Sequence, residues 1–405
     1  MPAVNSFISH FSKIWEQSAV DFPLFQTDYS VEEQAVREAR FGEIQKKIKK
    51  LQSGINRQEL KKTDPGQTFF PLFRQFLLSV FDFDQEHLEI ILSDRFKNVS
   101  KEFFYQARKF GPELSPENIY QGLRNVWIMN GLQLMMDLPV EITPSVFAYS
   151  MIYPYSDNLL DDPALSNEEK HKFSDRFNKR LHGEPTEPAG FIEAQLFRLV
   201  AMIEAQFPRN EYPEVFNSLY DIHEGQTKSL KLINCNGLEE AVVRNISFEK
   251  GGSSVLADGY LVAGRLSVEQ EQALFGYGIY LQLLDDIQDI KEDTKSDTRT
   301  LFAGNGNFCK KEELINMTVH FGRKVLEEMR CFRGKTNDSM LRLMNRSIES
   351  MLIESIGSNP DGYSVAWLQK IEQHSPLRFE FIRNTKAQSK SQRFDLFRKY
   401  FEQVS

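Results

Sequence analysis

Apolar residues recur three and four positions apart through almost the whole chain, with polar residues filling the positions between them. That spacing predicts amphipathic helices. They fall near 4–19, 31–52, 70–81, 84–109, 115–136, 144–162, 166–181, 189–206, 211–232, 238–248, 252–263, 267–293, 310–331, 336–356, 363–373 and 390–403. The Val/Ile/Thr alternation of strands is almost absent, so the expected fold class is all-α. Thr143-Pro144 predicts an N-cap followed by proline at the first helical position. Ser267 with Gln270 predicts a capping box. Pro154 predicts a kink or restart inside 144–162, and Pro163 ends that helix directly after Asp162. Asp64-Pro65-Gly66 predicts a loop separating an N-terminal helical arm, 1–62, from the rest of a single domain, 1–405. Gly304-Asn305-Gly306-Asn307 predicts a second break. No internal repeat is found.

Composition narrows the classes. The chain has 405 residues, 41% hydrophobic and 26% charged, enough for a core without staples. A net charge of −8 and the lack of a basic stripe argue against nucleic acid as a partner. Cys235, Cys309 and Cys331 are too widely spaced for a metal or redox motif and read as reduced thiols. No stretch reaches the length and apolarity of a membrane span, so stable membrane insertion is not expected. The first twenty residues carry Glu16 and lack a signal-peptide core, so the expected location is the cytoplasm.

Two aspartate clusters change the picture, each at the end of an apolar helix pattern. The first is Asp157-Asn158-Leu159-Leu160-Asp161-Asp162. The second is Asp285-Asp286-Ile287-Gln288-Asp289, continuing to Asp293. Helical spacing puts Asp157 and Asp161 on one face, and Asp285, Asp289 and Asp293 on another. Like charges four apart repel, and carboxylates near a helix C-terminus oppose the macrodipole. A cation between the clusters would offset both. The ends of the second triplet lie roughly 12 Å apart, too far for one ion. Two or three Mg²⁺ ions bridged by a diphosphate would span it, since Mg²⁺ takes hard oxygen ligands and substrate phosphates. The bland alternative is a solvated acidic helix end neutralised by Lys291 and Lys295. A di-iron bundle needs Glu-x-x-His twice, and the sequence offers only Glu168 with His171.

A diphosphate also needs cations. Lys250 precedes Gly251-Gly252-Ser253-Ser254, small residues that would let phosphate oxygens approach the backbone. Arg244 and Arg299 are further phosphate clamps by charge, and either is equally well read as a surface charge. Arg378 is a candidate closing arginine near the C-terminus.

These residues resemble a family. Asp285-Asp286-x-x-Asp289-x-x-x-Asp293 after Tyr280-Leu281-Gln282 resembles the second aspartate-rich motif of trans-isoprenyl diphosphate synthases. Gly225-Gln226 and Lys250 stand in that family's upstream order. Asp157-x-x-x-Asp161-Asp162 is similar to the first motif of squalene and phytoene synthases and of large-terpene synthases. The nine-residue second motif also overlaps that of terpene cyclases. The resemblance covers roughly 120–305 and is to the class I isoprenoid synthase superfamily. It departs in two respects, one being that the N-terminal Gly-Gly-Lys-x-x-Arg-Pro signature of chain-elongating members is missing. Chain-elongating members follow their first motif with paired arginines, where this chain has Pro163-Ala164-Leu165-Ser166; Arg124 is the nearest replacement.

The resemblance implies a helical bundle around a central apolar cavity and a Mg²⁺-dependent enzyme acting on a prenyl diphosphate. Asp157, Asp161, Asp162, Asp285, Asp286, Asp289 and Asp293 would hold metal, while Gln226, Gln282, Arg124 and Lys250 would hold substrate. Lys250, Arg244 and Arg299 would assist the leaving diphosphate. The expected reaction is ionisation followed by cyclisation. The alternatives are prenyl transfer, head-to-tail or head-to-head, and a non-catalytic isoprenoid-binding protein. Aromatics near the clusters, Phe147, Tyr149, Tyr153, Tyr155, Phe275 and Tyr277, could face a carbocation, though core packing is the commoner role. A homodimer stays open, with the N-terminal arm a candidate for pairing subunits.

Overall fold

The helical periodicity resolves into sixteen α-helices and no strand among the described residues. The structure is a computed structural model that describes residues 2–54, 65–160, 165–235, 237–303 and 311–385. The helices are α1 (Pro2–Glu16), α2 (Val31–Gly54), α3 (Pro65–Val80), α4 (Gln85–Ile91), α5 (Asp94–Phe110), α6 (Pro116–Met135), α7 (Pro144–Leu160) and α8 (Asn167–Leu181). After them come α9 (Phe191–Gln206), α10 (Pro213–Ser229), α11 (Glu240–Ala263), α12 (Val268–Gln288), α13 (Ile290–Lys295), α14 (Lys311–Glu328), α15 (Asn337–Ser358) and α16 (Val365–Glu372). None of the described helices is long and apolar enough to cross a membrane. The expected break at 304–307 and the expected helix at 390–403 lie outside the described residues.

Caps set several boundaries as the sequence predicts. Ser267 accepts from the Gln270 N–H and Gln270 returns the bond, closing a capping box on α12. The Thr143 hydroxyl accepts from the Val146 N–H at the start of α7. Three expectations need correction. The 84–109 pattern is two helices, because Ser93 caps a new one by accepting from Phe96 N–H. Pro154 does not divide α7, which runs through it. The expected break at 249–251 is absent, and α11 continues through Gly251-Gly252. Glycine in a helix interior costs about 1 kcal/mol relative to alanine. Here packing offsets it.

That packing forms the axis of the bundle. From Gly251 to Val262, α11 is buried at every position except Ser254, the mark of a helix enclosed on all sides. It packs against α1, α6, α7, α10 and α12. It runs antiparallel to α12, with Gly259 beside Leu274, Gly251 beside Gly278 and Gln282, and Ser247 beside Asp286. A Cβ on Gly278 would sit 2.1 Å from the Gly251 carbonyl oxygen, and one on Gly251 would sit 2.7 Å from the Gly278 oxygen. The two backbones therefore touch.

The first helix is not a detached arm. Phe7, Phe11 and Trp15 of α1 are buried against Phe275, Phe248 and Phe321. Three helices of the central bundle thus meet α1 in one aromatic cluster. Phe147 and Phe275 are core residues of this kind, Phe147 against Phe103 and Phe110. Further along, α2 packs on α3 and on the C-terminal segment, where Gln34 donates to the Glu372 and Ser375 carbonyls. Arg378, the candidate closing arginine, pairs with Glu38 of α2 and fastens that segment.

The α11–α12 contact should tolerate no side chain. Gly278→Ala is expected to lower the unfolding free energy by about 1–3 kcal/mol through overpacking. Gly42→Ala in α2, where an added Cβ meets nothing within 4 Å, should raise it by up to about 1 kcal/mol. Urea denaturation midpoints of the two variants check the contrast.

Candidate active site

The Gly251–Gly278 crossing places the last turns of α12 beside the first half of α11. One cleft of about 180 Å³ opens there, lined by Lys250, Ser247, Gln282, Asp285, Asp286, Asp289 and Asp293, with Ser229, Leu232, Ile233, Thr298 and Thr300. Four predicted carboxylates, the predicted lysine and one predicted glutamine thus share one concavity. The predicted long helix ends earlier than expected, at Gln288, with Asp289 at the junction to α13. The ladder nevertheless carries through. Asp289 N–H donates to the Asp285 carbonyl at 2.9 Å, and Asp293 N–H to the Asp289 carbonyl at 2.8 Å. The three aspartates therefore keep their helical spacing.

The second carboxylate of the motif behaves differently from its neighbours. Asp286 is buried, and both its oxygens accept bonds: Oδ1 from Gln282 Nε2 at 2.7 Å, Oδ2 from the Ser247 hydroxyl at 3.5 Å. It is anchored between α11 and α12, and it fixes Gln282. Burial raises its pKa to about 7, with the Asp285 charge adding to the effect. Asp293 rises to about 6 through burial and then the charges of Asp289 and Asp285. Asp289 is raised for the same reasons, against Arg124 and Lys250, which lower it. The cleft is thus short of positive charge. Its donors are carboxylate and hydroxyl oxygens, the set that Mg²⁺ prefers. No three acidic, histidine or cysteine groups among the described residues converge on one point as a complete metal site, so bridging oxygens from a ligand would have to complete it.

The basic candidates divide. Lys250 lines the cleft, and Arg124 on α6 is near enough to act on Asp289. Lys228 is committed to Glu249 at 2.7 Å and Glu224 at 2.9 Å, tying α10 to α11. Arg244 is not in the lining. It pairs with Glu16 of α1 at 2.9 Å. Arg299 is buried between Thr298 and Thr300 and is likewise absent from the lining. Thr298 and Thr300 line the cleft and Arg299 between them does not, the alternation of a chain leaving the turn at Asp297 in extended form. This stretch pairs with 232–234 through the Ile233–Thr298 bridge and the Arg299 N–H bond to the Leu232 carbonyl. Lys291 faces Asp361 at 3.5 Å.

Gly225-Gln226 has a packing reason. A Cβ at Gly225 would lie 3.2 Å from the Lys250 Cα, so the glycine lets α10 close on α11 beside the lysine. Gln226 is half-buried and is not in the lining. Gly251 and Gly252 serve the same end, since Gly251 meets α12 backbone and Gly252 meets the Phe275 ring. They face a helix and not a phosphate, which corrects the sequence expectation. Ser247, Thr298 and Thr300 went unpredicted, because single hydroxyls in a helix or loop carry no spacing signal.

For the first cluster, Asp161 and Asp162 lie outside the described residues, and Asp157 is described only through its backbone on the last turn of α7. The helix register still locates that turn. Ser145 Oγ donates to the Leu261 carbonyl, and Tyr149 lies near enough to Ser254 and Asp258 for both to act on its hydroxyl. Running antiparallel, α7 reaches the level of Ser247–Lys250 two turns later, at Asp157. A larger hollow of about 620 Å³ at the other end of α12, lined by Met136, Ser267, Gln270 and Arg333 among others, gathers no such acidic cluster.

No family model matches the chain, and no curated protein matches it. Among solved structures it is similar to a geranyltransferase from Legionella pneumophila, at 16% identity, 67% of this chain, 99% of that one and a TM-score of 0.41. It is similar too to a geranylgeranyl pyrophosphate synthetase from Geoglobus acetivorans, at 15% identity, 72% and 98% coverage and a TM-score of 0.36. A decaprenyl diphosphate synthase from Rhodobacter capsulatus follows at 12% identity, 74% and 98% coverage and a TM-score of 0.33. These likenesses are in all-α fold. The chemistry of the cleft rests on its own residues.

The raised carboxyls give the apoprotein a signed pH dependence. Asp286 and Asp293 bind protons more tightly folded than unfolded, so their contribution to stability is full below the ordinary value of 3.8 and is lost as pH rises through about 6 to 7. Thermal unfolding should show Tm falling over that window without divalent cation. Millimolar Mg²⁺ should flatten the fall, because bound cation replaces the proton.

Proposed function

We propose that this chain ionises a prenyl diphosphate at the acidic cleft with the help of Mg²⁺. The observation that carries the reading is the convergence of Asp285, Asp286, Asp289 and Asp293 with Lys250 and Gln282 in one concavity. Asp285, Asp289 and Asp293, with Asp157 and Asp161 of the first cluster, would hold two or three ions. Asp286 fixes Gln282 beside them. Bound there, Mg²⁺ supplies Lewis-acid stabilisation of the departing diphosphate. Lys250 and Arg124 supply fixed positive charge to its oxygens. The cleft is smaller than the roughly 300–1,000 Å³ usual for small-molecule pockets. It is sized for the diphosphate head, leaving the hydrocarbon to pass between helices. The apolar residues beneath it, Leu283, Leu284, Ile287 and Phe248, are buried and exclude the water that would quench an allylic cation.

Two fates of the cation follow from different residues. Asp-Asp-x-x-Asp at 285–289, after Tyr280-x-Gln282 and downstream of Gly225-Gln226 and Lys250, favours prenyl transfer to a second prenyl unit. The missing arginine pair after the first cluster favours cyclisation, since a second diphosphate would then have few cations to hold it. Diphosphate release with and without Mg²⁺, from prenyl diphosphates of ten to twenty-five carbons, alone and with isopentenyl diphosphate, separates them. Release only with both substrates identifies transfer; release from one alone identifies cyclisation. Asp289→Ala and Asp157→Ala should each lower Mg²⁺-dependent release by about a hundredfold or more while leaving the helical CD spectrum unchanged. Wild-type release in either variant would remove the metal-cluster reading.

A further inference from the structure

Asp258 lies just over two turns along α11 from Lys250, in a cluster of polar groups that the ionisation step does not use. Asn125 of α6 is the centre of that cluster. Its amide donates to Asp258 Oδ1 at 3.1 Å and to the Ser150 hydroxyl of α7 at 3.3 Å. One side chain thus ties α6 to both α11 and α7. Ser150 and Asp258 are both buried. Asp258 Oδ2 has no hydrogen-bond partner among the described residues. Burial raises the carboxyl's pKa well above its ordinary range, against the bond from Asn125. A buried carboxyl costs stability that an apolar residue of similar size would not. What the cluster contributes instead is geometry. Apolar contacts tolerate a small slide or rotation of one helix on another. Two hydrogen bonds from one amide tolerate little, since each weakens steeply with distance and angle.

The rotation of α6 matters because Arg124 is the residue next to Asn125. Burial and the charges of Asp285 and Glu292 raise the pKa of Asp289, and Arg124 lowers it, so the Arg124 charge is felt at the acidic cleft. Arg124 is exposed, and its long side chain carries the guanidinium well beyond the roughly 2.3 Å radius of the helix Cα atoms. A small rotation at the axis is therefore magnified at the charge. We propose that Asn125, held by Asp258 and Ser150, is a positioning residue that acts through Arg124 and sets the rotation of α6 that points the guanidinium at a bound diphosphate. This rests on the prenyl diphosphate reading above. Trp127, three residues after Arg124 and so on the same side of α6, reports that rotation. It is 37% exposed and its Nε1 donates to the Ser100 hydroxyl of α5 at 2.9 Å. The other two tryptophans of the chain, Trp15 and Trp367, are buried.

The test reads the binding of inorganic pyrophosphate with Mg²⁺ by calorimetry, in wild type, Asp258→Ala and Asp258→Asn, and again with Arg124→Ala added to each. Asp258→Ala removes the acceptor of the Asn125 bond and should weaken binding about tenfold, within the range of coupled neighbouring residues. Asp258→Asn keeps a carbonyl oxygen for Asn125 and should bind as wild type does. With Arg124 already replaced, Asp258→Ala should change the affinity by less than about twofold, since no guanidinium is left to aim. Unchanged affinity in Asp258→Ala, an equal loss in both Asp258 variants, or the same loss without Arg124 overturns the positioning role. A merely structural aspartate would lower Tm and leave this pattern absent. Asn125→Ala breaks the same bonds from α6 and should reproduce Asp258→Ala, which covers a variant that does not fold. A second measurement needs no ligand. Acrylamide quenching of tryptophan fluorescence selects the exposed Trp127 and should differ from wild type in Asp258→Ala and not in Asp258→Asn. Equal quenching in all three proteins overturns the role. Absence of pyrophosphate binding to the wild type counts against the diphosphate reading, while the quenching comparison still decides whether Asn125 sets the rotation of α6.

Discussion

Gly251 and Gly278 let the backbones of α11 and α12 touch, and the acidic cleft follows from that contact. With a Cβ on either residue the helices would separate, and the turns beyond would separate with them. Those turns carry Ser247 and Lys250 on one side and Gln282, Asp285 and Asp286 on the other. The Ser247 and Gln282 bonds to Asp286 depend on the same spacing. Gly225 repeats the device on the other flank of α11, bringing α10 against the backbone of Lys250. The glycines cost helix propensity and contribute position, and burial of the surrounding apolar residues offsets their cost.

The close approach also creates the electrostatic problem that the site embodies. Four aspartates are held within a few turns of each other, one wholly inside the protein. Burial and mutual repulsion raise Asp286, Asp289 and Asp293. Nearby lysines do not relieve this, because Lys228 is taken by Glu224 and Glu249, and Lys291 faces Asp361. Lys250 and Arg124 act in the other direction on Asp289 and favour its ionised form. The cost of holding these carboxyls together is what the proposed divalent ion bridged by an anion would relieve. That is the physical content of the proposed function, and it connects the helix packing to the chemistry without reference to any relative.

The bundle is apolar at its centre, and the polar groups buried in it are unevenly placed. Phe7, Phe11 and Trp15 draw α1 into the centre and make the side of the core remote from α7 dry and aromatic. Between α6, α7 and α11, by contrast, Asn125, Tyr149, Ser254 and Asp258 leave a polar interruption below the cleft.

By itself the sequence determined the all-α class, the capping box at Ser267, and the spacing that keeps Asp285, Asp289 and Asp293 along one face. These follow from local rules: periodicity, a side chain reaching the third residue on, and a rise per residue that does not depend on neighbours. Tertiary structure decided which charges share the cleft. It turned Arg244 to Glu16 and Arg299 away from the lining, and it sent Asp286 inward to Ser247 and Gln282. It joined two predicted helices through Gly251-Gly252, because a glycine pair reads as a break until a partner helix is pressed against it. It also buried Asp258, a residue that looks unremarkable in Val255-Leu256-Ala257-Asp258. Burial and an unpartnered oxygen are properties of the space between helices, and no spacing along one chain encodes that space.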